Sequence, residues 1–299
     1  MAERHARGGL NRANTLTAMG FLLPNAVGFF AFTLFPLAAA LLLAFAEWDT
    51  ASPIVFVGLK NFQRLFTDET FKISFVNTIY YTVATVPLTM VCSLAVAILL
   101  NQKVKGLRLF RSAFFFPYVI SMVAVAVVWN MLLHPTMGPV NSLLISLGNQ
   151  KPPGWTASTE WAMPAVIMAS VWRQTGFFMV IYLAGLQGIP RSLYEAAEMD
   201  GADAWSRFWH VTLPGLAPVS FFVSIMLVIN GFKIFDLIMV MTGGGPGRAT
   251  NVLVYHIYYT AFMSFRFGYA SAISMVLLAL ALGVTAVQFR LQRRLGEPA

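Results

Sequence analysis

Long unbroken apolar runs, with neither an alternating nor a heptad pattern, organise this chain. Six of them lie near residues 18–46, 73–100, 109–133, 162–187, 216–241 and 269–289, each flanked by charged or turn-forming residues. A helix needs about 20 apolar residues to cross a bilayer, and these runs are of that order. Barrel strands would alternate apolar and polar residues, so the runs read as helices. The expected fold class is an all-α polytopic membrane protein with six transmembrane helices. The first run carries Pro24 and Pro36. It is well beyond the roughly 7–15 apolar residues of a cleaved leader, which makes it an uncleaved first span.

The loops set an orientation. With the N-terminus inside, the cytoplasmic segments hold Arg4, Arg7, Arg12, Lys103, Lys105, Arg108, Arg111, Arg191, Arg207, Arg290, Arg293 and Arg294. The outer segments hold Lys60, Arg64, Lys72, Lys151, Arg248 and Arg266. That excess of basic residues favours N-in and C-in. Of the outer loops, the first has turn signals at Pro53 and Gly58, and the second has Pro152, Pro153 and Gly154. The third opens on "TGGGPGRATN", which resists helix until Asn251. "VLVYHIYYTAFMSF" follows, with the spacing of a short amphipathic helix at the outer face.

Composition agrees with the pattern. The 299 residues are 58% hydrophobic and 11% charged, against about 25% charged in soluble domains. The net charge of +8 fits basic residues gathered on one membrane face better than a nucleic-acid partner. Cys92 is the single cysteine and lies within a span, so it reads as a packing residue.

Catalytic chemistry is missing from the sequence. "GGGPGRAT" has glycines but no phosphate-loop lysine. His5, His134, His210 and His256 are scattered, with no metal-ligand spacing, and no Gly-x-Ser-x-Gly elbow occurs. The chain does not read as an enzyme. Polar groups inside spans stand out instead: Arg173 and Gln174 in the fourth, Asn230, Lys233 and Asp236 in the fifth. Ionisable groups at membrane depth cost about 2.5–3.5 kcal/mol each on insertion scales and usually face a bundle interior or water-filled path. Lys233 and Asp236, three apart, would share a helix face and partly neutralise each other, with Asn230 one turn away. A buried structural pair, or snorkelling to the surface, is the plainer alternative. Asn77 and Asn130 sit nearer span ends, suited to capping or hydration.

Between the fourth and fifth spans runs "EAAEMDGADAWSRFWHVTLPG", Glu195 to Gly215, too charged to cross a membrane. Ser192 and Glu195 form a Ser-x-x-Glu capping box, and Ala196, Ala197 and Met199 favour helix. Gly201 supplies a corner. Trp205, Phe208, Trp209 and Thr212 then recur at amphipathic spacing. Pro214 ends the second piece, and Pro218 stands where span five begins. Two short helices with a glycine corner are expected, serving as an interfacial connector or a docking element.

The spacing Glu195-Ala196-Ala197, Gly201, then Val211-Thr212-Leu213-Pro214 resembles the EAA loop of binding-protein-dependent ABC importer permeases, with Val where isoleucine is commoner. "VWRQTGFFMVIYLAGLQGIPRSLYEAAEMDGA" and "FDLIMVMTGGGP" followed by "ATNVLVYHIYYTAF" resemble the carbohydrate, maltose-transporter branch. The likeness runs from about Phe21 to Arg290 and is strongest over Val171–Phe262. It implies a type I importer permease fold: a tail at 1–17, a first helix at 18–46, a permease core at 71–290 with its coupling loop at 188–214, and a tail at 291–299. It implies a second permease as heterodimer partner, a cytoplasmic ABC ATPase dimer and an extracytoplasmic solute-binding protein, in a prokaryotic cytoplasmic membrane. No cofactor is expected in this chain, since ATP and Mg would sit on the ATPase. The resemblance puts Glu195, Ala196, Ala197, Asp200, Gly201, Leu213 and Pro214 at the ATPase. It puts Arg173, Gln174, Phe177, Asn230, Lys233 and Asp236 along the solute path. The implied solute is a sugar. The two bases leave open a glycerol phosphate or another anion, and an ion-driven secondary transporter using Lys233–Asp236 is the rival from another class.

Overall fold

The computed structural model describes residues 12–102 and 106–296. Arg4, His5, Arg7, Lys103 and Lys105 lie outside them. The chain begins with α1 (Arg12–Phe29), a π-helical turn over Phe30–Leu34, and α2 (Phe35–Leu43). No residue in the apolar window of Thr17–Leu43 is buried by the rest of the chain. A two-residue ribbon follows, β1 (Ala46–Glu47) antiparallel to β2 (Val55–Phe56), and then α3 (Lys60–Leu65). This ribbon is a small departure from the all-helical expectation. Asn61 fixes it, its side-chain amide donating to the carbonyls of Ala44 and Ala46.

The centre is built by α4 (Glu69–Leu100) and α8 (Ala162–Gly188). The buried face of α4 reads Ser74, Thr78, Thr82, Thr85, Thr89, Ser93 and Ala97, a stripe of small residues three or four apart. Small side chains let helices approach closely where lipid offers no hydrophobic drive to pack them. α8 is the most enclosed helix long enough to cross a membrane. Its first half packs into a cluster with Leu237 and Ile238, its second half into one with Leu216, Val223 and Leu227.

Two expected spans are broken. The run at 109–133 divides into α5 (Leu107–Val119) and α6 (Met122–Leu132), bent by 99°. Pro117 removes a backbone donor in the last turn of α5, and Ile120 and Ser121 are extended. The run at 216–241 is not one helix either: α12 (Ala217–Phe232) stops at Lys233 and α13 (Asp236–Met241) starts three residues on, after α7 (Pro139–Ser146), α9 (Arg191–Met199), α10 (Ala204–Arg207) and α11 (Leu213–Gly215) earlier in the chain. Continuous hydrophobicity concealed both breaks, because a helix interrupted inside a protein core keeps its apolar composition. Past α13 come α14 (Leu253–Tyr258), the amphipathic helix expected after Asn251, and α15 (Phe267–Gly296). Among the described residues four helices are long and apolar enough to cross a membrane, or six if α5 with α6, and the segment Ala204–Gly215 with α12, bent by 65°, each count as one span.

Candidate functional site

The two breaks meet. Arg173 projects from α8, and its Nη2 donates to the carbonyls of Tyr118 (3.0 Å) and Ile120 (3.3 Å), acceptors that the end of α5 leaves open. Its guanidinium lies 5.0 Å from the centroid of the Tyr118 ring, which stacks on Phe177 at 4.4 Å. Next to Arg173, Gln174 donates to Ser170 Oγ (2.8 Å), one turn back, itself 2.5 Å from the Tyr81 hydroxyl. Across a cavity of about 190 Å³ stand Asn230, Lys233 and Asp236, from the end of α12 and the start of α13. Five of the six expected path residues thus line one cavity, and Phe177 supports it through Tyr118.

Two expectations are corrected here. Lys233 and Asp236 do not share a helix face, because the helix ends at Phe232 between Asn230 and Lys233. Neither forms an ion pair with any described residue, and both are exposed within this chain. Asn77 and Asn130 do more than cap or hydrate. Asn77 Nδ2 donates to the carbonyls of Arg248 and Asn251, and Asn130 Nδ2 to that of Val240. Sequence reasoning missed Tyr81, Tyr118, Ser170 and Phe235 as cavity lining. The only sequence signal near Tyr118 was Pro117, the residue that prepares the break.

A larger apolar cavity of about 830 Å³ opens between α4, α5, α6 and α8, lined by residues such as Leu88, Phe114, Trp129 and Met168. It has no ionisable lining residue apart from Tyr80 and Cys92, and it lies outside the polar constellation.

At the far end of α8 the Glu195 segment takes the expected form, with one correction. α9 ends at Met199, Gly201 turns the chain at φ +79°, and α10 starts behind Asp203, whose carboxylate accepts from the Ser206 amide at 2.8 Å. A residue with a side chain is strained at that φ, so the corner suits glycine. Ser192 is not the cap: Pro190 occupies that position, no side chain caps the helix, and Glu195 instead pairs with Arg191 at 3.0 Å. Glu198 pairs with Arg207 across the corner, and the Tyr194 hydroxyl lies 3.0 Å from Thr212 Oγ1. The amphipathic stretch is partly a π-turn, Phe208–Thr212. No residue of α9 is buried; Glu195, Ala196, Asp200, Gly201 and Pro214 are exposed, Ala197 and Leu213 half-buried.

The opposite end, around Pro246, is knitted together. Asp68 caps α4, accepting from the amides of Thr70 and Phe71 and from the Tyr269 hydroxyl at 2.7 Å. Burial pushes this carboxyl up, but those hydrogen bonds and the nearby His256 outweigh it and hold it below the usual carboxylate range. Burial pushes His256 below the usual imidazole range, against the pull of the Asp68 charge.

Residues 75–297 match the family described as the binding-protein-dependent transport system inner membrane component. The chain belongs to that family. A probable ABC transporter permease of Bacillus subtilis, YurN, is 35% identical, covering 90% of this chain and 94% of the relative. The sn-glycerol-3-phosphate permease UgpA of Yersinia enterocolitica is 38% identical, covering 80% of this chain and 81% of its own length. A crystal structure of a bacterial ABC transporter that imports the acidic polysaccharide alginate shares the fold, with a TM-score of 0.84 at 24% identity over 96% of this chain and 98% of that one. The chain is therefore an all-α, multi-pass permease subunit of an ABC importer.

Proposed function

We propose that this subunit carries a sugar or a closely related polyol through a prokaryotic cytoplasmic membrane, with its N- and C-termini inside. Its heteromeric partner is a second permease; a binding protein delivers the solute at the Pro246 end. A cytoplasmic ATPase dimer docks on the Glu195 segment and holds the ATP and Mg that this chain has no motif to bind. The observation that carries the reading is the meeting, at one polar cavity, of the break between α5 and α6 and the break between α12 and α13. Irregular backbone at membrane depth is tolerated where it is enclosed by protein or lines a water-filled path. Broken helices also present carbonyls and amides to a solute. Amides from Gln174 and Asn230 beside the ring of Tyr118 suit hydroxyl-rich rings.

Movement of the coupling segment on ATPase closure would shift α12 through α11, which leads directly into it, and so reach the Lys233 break. Such a two-state element is what alternating access requires. A second reading, an anionic solute such as a glycerol phosphate, is favoured by one observation: the Lys233 ammonium is exposed and has no ion-pair partner among the described residues. Purification of the chain from its native membrane in mild detergent, followed by solute uptake in proteoliposomes, tests both. Two ATPases, one second permease and ATP-dependent sugar uptake support the first. Uptake of a phosphate ester instead supports the second. Ion-driven uptake with no ATPase attached would overturn both.

A further inference from the structure

Three arginines gather where the Pro246 loop meets the starts of α4 and α15. The guanidinium of Arg64 lies 4.9 Å, and that of Arg266 5.3 Å, from the centroid of the same Tyr269 ring. Arg248 joins them through Thr70, whose hydroxyl accepts from Nη1 at 3.1 Å. None of the three is ion-paired with a described residue. Of the carboxylates nearby, Asp68 is committed to two amides and the Tyr269 hydroxyl, Glu47 is paired with Lys60, and Asp49 accepts from the amides of Ala51 and Ser52. The cluster therefore carries an excess of positive charge.

Beside it opens a cavity of about 450 Å³, lined by Asp68, Arg248, Arg266, Tyr255, Asn251 and His256 among others. The last two residues are more than nine-tenths buried, yet Asn251 Oδ1 and His256 Nε2 have no hydrogen-bond partner among the described residues, the imidazole nitrogen lying 3.8 Å from Asp68 Oδ2. Buried polar atoms normally find partners, so an occupant should bring a donor for Asn251 as well as acceptors for the arginines. A phosphate monoester dianion offers acceptors only. A carboxylate with its neighbouring peptide N–H offers both.

We propose that this arginine-lined cavity seats an acidic side chain, with its adjoining peptide group, from the extracytoplasmic solute-binding protein. The proposal rests on the reading that the Pro246 end faces that protein. Charge pairs at such surfaces steer docking and fix register.

The test uses the intact importer in nanodiscs, with binding of the solute-loaded binding protein measured against salt concentration. In neutral phosphatidylcholine, Arg248→Gln and Arg266→Gln should each weaken docking about tenfold and flatten its salt dependence. Arg248→Lys and Arg266→Lys should keep most of the affinity, and Lys60→Gln, on the same side but paired to Glu47, should change little. An unchanged thermal midpoint would show that the glutamine variants are folded. Wild-type affinity in folded glutamine variants overturns the proposal. So does weakening confined to nanodiscs of anionic lipid, which would assign the arginines to headgroups. Failure of the importer reading looks different: the wild-type chain brings no ATPase and binds no binding protein, and the inference falls with it.

Discussion

The two ends of this permease are held by different kinds of contact. At the Pro246 end, partners come from far along the chain: Tyr269 on Asp68, 201 residues apart, and Asn77 on the Arg248 carbonyl, 171 apart. Thr78 Oγ1 accepts from the Leu253 amide, and Thr250, Asn251, Leu253 and His256 are buried. At the Glu195 end the contacts are local, such as Tyr194 to Thr212, and α9 buries nothing. The first end is closed by the chain itself. The second is a self-supporting shape with its faces open. Regions with few buried contacts open at low cost, so the contrast separates a scaffold from the surface proposed for coupling.

The largest effect should come from breaking the open end. Gly201→Pro forces φ near −65° where the corner needs +79°, and Glu195→Arg sets a second cation one turn from Arg191. Both variants should reduce uptake to background and lose the ATPase on co-purification, with membrane insertion normal. Transport by both at the wild-type rate would end the docking account. Next, Gly244→Ala strikes the closed end: φ is +79°, and the added Cβ would fall 2.5 Å from Tyr255 Cε1. A loss of about 2–4 kcal/mol is expected, read as a lower thermal midpoint. An equal loss from Gly201→Ala, expected to cost only about 1–2 kcal/mol, would erase the contrast.

Between the ends, Lys233→Ala should raise the solute KM several-fold, roughly 1 kcal/mol, without moving the thermal midpoint, because Lys233 is exposed and pairs with no described residue. Unchanged transport kinetics would make it structural. The smallest effect is in pH. Burial holds His256 below the usual imidazole value near 6.5, so opening the Pro246 end lets it take up a proton more readily. Stability there is fully present above about pH 6.5 and declines as pH falls from 6.5 towards the depressed native value, by at most about 1.4 kcal/mol per pH unit. Amide exchange over Leu253–Tyr258, corrected for its intrinsic rate, should quicken between pH 7 and 5.5, and His256→Gln should remove that response. Asp68, also held low, adds a loss only in stronger acid.

How much of this was legible in the sequence follows the same division. The Gly201 corner and the flanking short helices are local features, and helix propensity with one αL glycine suffices to read them. The Ser192 cap failed because Pro190 had already fixed where the helix begins. Hydropathy located the apolar runs but not the breaks: Ile120 leaves the composition unchanged, and the polar residues around Lys233 read equally well as a polar face on an unbroken helix. Arg173 was legible as an unusual charge. Its role in holding the carbonyls of Tyr118 and Ile120 was not, because those lie more than 50 residues away and become acceptors only when α5 ends.

The most direct measurement is hydrogen–deuterium exchange of the permease pair with and without its ATPase. The account predicts strong protection of residues 191–215 when the ATPase binds, with residues 242–260 unchanged. Unaltered exchange over 191–215 in a complex that hydrolyses ATP and transports would contradict it.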